Sequence, residues 1–171
     1  MNRYLCKKGM YMEEKSFTLN YREYDTIEEL PATYKHLYKA AIDATENSYA
    51  PYSQFNVGAA VLMENGAVIT GSNQENAASP SGLCAERVAL FAAHHQYPKV
   101  AVEAIGIAAK TKGALTENLV YPCAACIQVM VESQLRSGKP VKIIVGSNTR
   151  IQIIGSVDSL LPFSFSLMPK K

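Results

Sequence analysis

The chain has 171 residues, enough for one domain with a hydrophobic core of its own. Hydrophobic residues make up 48% and charged residues 19%, the balance of a water-soluble globular protein; a net charge of +2 with scattered Lys and Arg leaves no basic stripe for a nucleic-acid polymer. No apolar run reaches the roughly 18–20 residues that a bilayer requires, so no membrane partner is expected.

In chain order, residues 16–25 ("SFTLNYREYD") alternate as a short strand or extended arm does. From Pro31 the pattern turns helical, with Leu30, Tyr34, Leu37, Tyr38, Ala41 and Thr45 recurring at three- and four-residue steps along one apolar face. Pro51 in "YAPYS" stops that helix, because it lacks an amide hydrogen and pushes Ala50 out of helical angles. Two β-rich runs follow, "FNVGAAVLM" and "AVITGSN", joined by "ENG"; Asn65 and Gly66 both tolerate positive φ, which predicts a hairpin.

A loop, "ENAASPSGL", leads into a predicted helix at "CAERVALFAAHH". "VEAIGIAA" is apolar almost throughout, as a strand buried on both faces must be. "CAACIQVMVESQLRSG" predicts a further helix ended by Gly138. "VKIIVGS" and "RIQIIGS" are strands too closely spaced for a crossover helix, hence antiparallel. Together these elements predict an α/β three-layer sandwich, a mixed five-stranded sheet with helices on both faces. The domain spans residues 31–171, behind an N-terminal extension, 1–30, to which the sequence assigns no role.

The stretch "MNRYLCKKGMYMEEK" lacks the apolar segment of a secretory signal, so a cytoplasmic location is expected. Thiols stay reduced there, and Cys6, Cys84, Cys123 and Cys126 read as metal ligands or catalytic groups instead of a disulfide framework. Met10 or Met12 would also serve as a start, which would remove Cys6. Cys84 and Cys123 each open a predicted helix, and Cys126 lies one turn further on. Free amides and the positive end of the helix dipole favour thiolates at such positions. Two helix starts facing each other would bring three thiolates onto one ion, and zinc suits that soft ligand set. Three protein ligands leave the fourth tetrahedral position open, as in catalytic zinc.

Two plainer readings compete. Cys6 would close the position in a structural all-sulfur site, but it stands isolated in a polar leader. The three cysteines would otherwise be small buried hydrophobes, which three thiols at two helix starts make a poor account. Glu86 favours the catalytic reading. Alone, a glutamate on a first turn means only a favourable dipole contact; beside an open metal position it can move protons between water and substrate.

The C-A-E and P-C-x-x-C pattern resembles the zinc-dependent cytidine deaminases. "YAPYSQFNVGAAVL", "GSNQENAA", "CAERVALF", "PCAAC" followed by Gln128, and "LLPFSF" are similar to the small free-nucleoside members, in the family's order, over residues 49–165. The resemblance implies one zinc per chain on Cys84, Cys123 and Cys126. It also implies that Glu86 is the proton shuttle in converting cytidine or deoxycytidine, with water, to the uracil nucleoside and ammonia, a pyrimidine salvage reaction. Arg87 then softens the thiolate charge, which three anionic ligands make acute. Asn73 and Glu75 grip the ribose, Phe55 packs on the pyrimidine, and Ala85 lines the substrate side.

Phe165 matches an aromatic lent to a neighbouring subunit, implying a homo-oligomer, with a tetramer favoured and a dimer possible. The chain departs from the family pattern at Ala124, where glycine is usual, at Ile127, where arginine is, and at Phe163, where a small residue is. These departures touch zinc tuning and subunit packing more than the reaction. Two other functions fit less well. A deaminase of another aminopyrimidine nucleoside, such as an antibiotic, would use the same scaffold. An inactive zinc-stabilised scaffold would leave Glu86 without purpose.

Overall fold

In the computed structural model, which describes residues 13–167, apolar strands alternate their side chains between two separate cores. From β2 (Phe55–Met63), Ala59, Val61 and Met63 enter one core while Ala60 and Leu62 enter the other. β4 (Val102–Thr111) divides in the same way, with Ile105 and Ile107 on one side and Ala104 and Ala108 on the other. This is why both runs are apolar through their middles, 57–63 and 104–109: each face is covered by helix.

One face is covered by α1 (Ala32–Ala44) through Leu37, Tyr38 and Ala41. The other is covered by α2 (Ala85–Gln96) and α3 (Ala124–Ser137), through Ala89, Leu90, Met130 and Val131 among others. The three-layer sandwich is therefore as expected. The sheet runs β1-β7-β6-β4-β2-β3, where β3 is Val68–Ser72, β6 is Lys142–Gly146 and β7 is Ile151–Ile154. β4 and β6 are parallel, joined by the crossover through α3, and β6 and β7 are antiparallel, as their spacing required.

The sheet has seven strands, not the predicted five. β1 (Tyr21–Tyr24) adds an edge against β7, and β5 (Ala114–Leu115) folds back on β4 through the Lys112–Gly113 turn. β1 is exposed along most of its length and β5 has two residues, so neither carries a burial pattern. The predicted β2–β3 hairpin is present. Only Gly66 takes a positive φ, +85°, while the Asn65 Oδ1 accepts the Ala67 N–H at 3.1 Å and needs no left-handed backbone. Gly138 ends α3 as expected, at φ +69°.

Cys6, considered above as a fourth ligand, lies outside the described residues, as do Met10 and Met12.

Candidate active site and metal centre

Cys84 and Cys123 are the N-cap residues of α2 and α3, in extended backbone conformation, and neither side chain caps its helix. Both thiols are therefore free to turn to a common point. Cys126, one turn into α3, is fully buried. The Cys84 and Cys123 sulfurs are 4.0 Å apart, those of Cys123 and Cys126 3.5 Å, and all three lie within 4.8 Å of one another. Thiolates at tetrahedral zinc distances stand about 3.8 Å from each other, so the group fits one zinc ion.

Electrostatics point the same way. The Cys123 thiol is pulled below its ordinary range: burial opposes this, but the backbone and side chain of Cys126 and the Cys84 sulfur outweigh it. Burial pushes the Cys126 thiol far up, with Glu86 and the other two sulfurs adding to the rise. Three crowded sulfurs resist collective ionisation, and a divalent cation removes that resistance. The Arg87 Nη2 donates to the Cys84 sulfur at 3.7 Å, an interaction that raises the guanidinium pKa, and its buried Nε has no partner among the described residues.

Glu86 is 4% exposed, the least accessible carboxylate in the described chain. Burial raises its pKa, while its own backbone N–H, the Cys126 thiol and Arg87 pull the other way. A buried carboxyl so placed holds its proton more firmly than an exposed one and can exchange it beside the sulfur group. Ala85, between Cys84 and Glu86, is fully buried.

Asn73 and Glu75 follow β3 into a cleft of about 530 Å³, which is also lined by Tyr52, Leu83, Cys84 and Arg87. The Asn73 Oδ1 accepts the Val57 N–H at 2.8 Å, and its Nδ2 donates to the Phe55 carbonyl at 2.9 Å, so its amide is pinned to β2. The Glu75 carboxylate accepts from the Ser53 hydroxyl at 2.5 Å and from the backbone N–H groups of Tyr52 and Ser53 at 3.0 and 3.3 Å. Those bonds, Ser53's foremost, hold its pKa below the usual carboxylate range.

Ser53 escaped the sequence reading. The signal was present: a hydroxyl two residues after Pro51, in a turn, is well placed to cap a nearby carboxylate. Phe55 begins β2 half-buried and does not line the cleft. Phe165 lies outside the cleft as well, 72% exposed. Its backbone is held to α3 by Gln128, whose Nε2 donates to the Phe165 carbonyl at 2.8 Å and whose Oε1 accepts the Phe165 N–H at 3.2 Å. No role was assigned to Gln128 from sequence, because its partner is 37 residues away.

Of the departures, Ala124 is exposed on the first turn of α3, Ile127 packs into the core shared by α2 and α3, and Phe163 is almost wholly exposed. Among the described residues no helix is long and apolar enough to cross a membrane.

Residues 31–139 match the model of the family described as "Cytidine and deoxycytidylate deaminase zinc-binding region". The chain is 44% identical over 131 residues to a cytidine deaminase of Halalkalibacterium halodurans, covering 76% of this chain and 92% of that one. It superposes on the crystal structure of a cytidine deaminase from Burkholderia pseudomallei with a TM-score of 0.63 at 36% identity, over 76% of this chain and 97% of the other. For the Mycobacterium tuberculosis cytidine deaminase the TM-score is 0.62 at 30% identity, over 78% and 98%. Fold and sequence agree across nearly the whole length of these relatives, and the chain belongs to the cytidine deaminase family.

Proposed function

We propose that the protein hydrolyses cytidine and deoxycytidine to uridine and deoxyuridine, releasing ammonia, in pyrimidine salvage. The observation that carries this reading is the buried carboxylate of Glu86, on the first turn of the helix that Cys84 opens, together with a three-sulfur group of zinc-binding dimensions completed by Cys123 and Cys126 of α3.

Zinc on Cys84, Cys123 and Cys126 would supply the Lewis acidity that makes water nucleophilic at neutral pH. Glu86 accepts a proton as water adds to the amino-bearing ring carbon. It delivers that proton to the adjacent ring nitrogen, then carries the proton of the new ring hydroxyl to the amino group, so that the carbonyl forms as the carbon–nitrogen bond breaks and ammonia leaves. Arg87 draws electron density from the Cys84 sulfur and so limits the charge that three thiolates impose on the ion. Asn73 and Glu75 face the sugar: each is fixed by the β2 region and retains further hydrogen-bonding capacity for ribose hydroxyls. An ionised Glu75 repels a phosphate, which favours nucleosides over nucleotides.

Phe55 packs against the pyrimidine and Ala85 borders it. Phe163, Phe165 and Leu167, at 96%, 72% and 88% exposure, form an apolar segment too large to leave in water. Burying it against other copies gives a homo-oligomer, a tetramer in preference to a dimer, in which Phe165 completes a neighbouring site. The unpaired thiols suit the reducing cytoplasm.

The test is incubation with cytidine, deoxycytidine, cytosine and cytidine monophosphate, following the ultraviolet change on loss of the amino group, with zinc measured per chain. The two nucleosides should react, the base and the monophosphate should react poorly, and zinc should approach one per chain. Zinc-loaded protein inert toward both nucleosides would refute the reading.

A further inference from the structure

β1 lies ahead of the segment that the family model matches, yet it is wired to the loop that delivers Cys123. In the antiparallel register Glu23 stands opposite Gln152 of β7. The Gln152 side chain is buried, 6% exposed, and both ends of its amide are engaged. Its Nε2 donates to the Glu23 Oε2 at 2.6 Å, and its Oε1 accepts the Tyr121 hydroxyl at 2.5 Å. The buried amide thus links a carboxylate to a tyrosine hydroxyl in one hydrogen-bonded chain, whose members strengthen one another. Residues 119–122 form no helix or strand, and no backbone hydrogen bond holds them among the described residues. They run straight into Cys123, the cap of α3. Leu119 packs on the core and Pro122 is buried, and the Tyr121 hydroxyl supplies the polar tether of this segment to the sheet.

We propose that β1 braces the metal-binding loop: Glu23, acting through the buried amide of Gln152, holds Tyr121 and thereby fixes Cys123 against the other two sulfurs. The inference rests on the zinc reading of the cysteine group. Tyr121, Gln152 and Glu23 are positioning residues; none touches the reacting atoms. The brace supplies a role for part of the extension that sequence alone left without one.

The test uses the full zinc-loaded chain. Tyr121→Phe removes one oxygen from a half-exposed ring and leaves the fold intact. Glu23→Ala removes the far end of the relay, and Glu23→Gln restores an oxygen acceptor there. Zinc loss to a chelator should speed up roughly three- to tenfold in Tyr121→Phe and in Glu23→Ala, and little in Glu23→Gln. The double variant Tyr121→Phe/Glu23→Ala should lose zinc no faster than Tyr121→Phe, because the relay acts as one unit. In cobalt-substituted protein the thiolate charge-transfer band should shift in the same variants. Wild-type zinc release and cobalt spectrum in Tyr121→Phe, or additive effects in the double variant, would overturn the brace while leaving the metal site standing. A wild-type chain that retains no zinc would overturn both.

Discussion

Gly71 sets how closely the helix bearing Cys84 and Glu86 lies on the sheet. A Cβ at this position would stand 2.5 Å from the Ala89 nitrogen, 2.9 Å from the Ala85 carbonyl oxygen and 3.0 Å from the Ala89 Cα. All three are backbone atoms of α2, which no rotamer change can clear. Ordinary contact begins near 3.4 Å, so Gly71→Ala must lift the helix by about 0.9 Å. Overpacking of this kind costs about 1–3 kcal/mol, a fall in thermal midpoint of roughly 3–10 °C for a chain of this size. It acts on rate as well: a misplacement near 1 Å at reacting groups costs about 100-fold.

Gly58→Ala is the control, with a backbone clash at least as severe. There the Cβ would meet the Ala41 carbonyl and, at 2.6 Å, the Thr45 nitrogen, at the α1 side of the sheet away from the cysteines. Both variants should lose midpoint in a thermal scan, but only Gly71→Ala should lose kcat on cytidine out of proportion. Normal kcat in Gly71→Ala despite a lowered midpoint, or equal losses of kcat in both variants, would refute the argument that this contact sets the catalytic geometry.

Glu86→Gln should keep zinc and lose turnover by about 10²- to 10⁴-fold, read by metal content beside initial rates. In metal-free protein the same change should raise the thermal midpoint near neutral pH. Burial raises the native pKa of Glu86, so the penalty for its charge is absent below about pH 4 and grows as pH rises through the native value; the two midpoints should converge in acid. Glu75→Ala should raise KM for cytidine roughly ten- to hundredfold and barely alter free cytosine; an equal loss for both would place the sugar contact elsewhere. His94 has its imidazolium disfavoured by burial and then by Arg136, and its buried Nδ1 lacks a partner among the described residues. Below about pH 6.5 the unfolded chain binds a proton that the native state resists, so stability should fall as pH drops toward 5. His94→Gln should flatten that part of the midpoint-against-pH curve, and an unchanged slope would acquit His94.

The regular elements were legible because their physics is local. Alternating or continuous apolar runs marked β2, β4, β6 and β7, and Gly138 marked the end of α3. β1 was visible only as a loosely alternating stretch, since its place in the sheet comes from backbone pairing with β7 and not from burial of its side chains. The hairpin that Asn65 and Gly66 signalled is present, and Gly66 alone takes the positive φ, because the Asn65 side chain bonds the turn. Asn73 and Glu75 were legible as residues but not as partners: their bonds go to Val57, Phe55, Tyr52 and Ser53, on a different stretch of chain.

The sequence by itself determined which atoms are available: two cysteines at helix starts, a third one turn along, and a glutamate beside the first. Whether those sulfurs share an ion was decided by tertiary structure alone. Cys84 and Cys123 are 39 residues apart, and they meet because α2 and α3 bury their apolar faces on the same side of one sheet. Side-chain periodicity records that each helix has a face to bury, but the partner against which it is buried follows from the strand order, which no local pattern encodes.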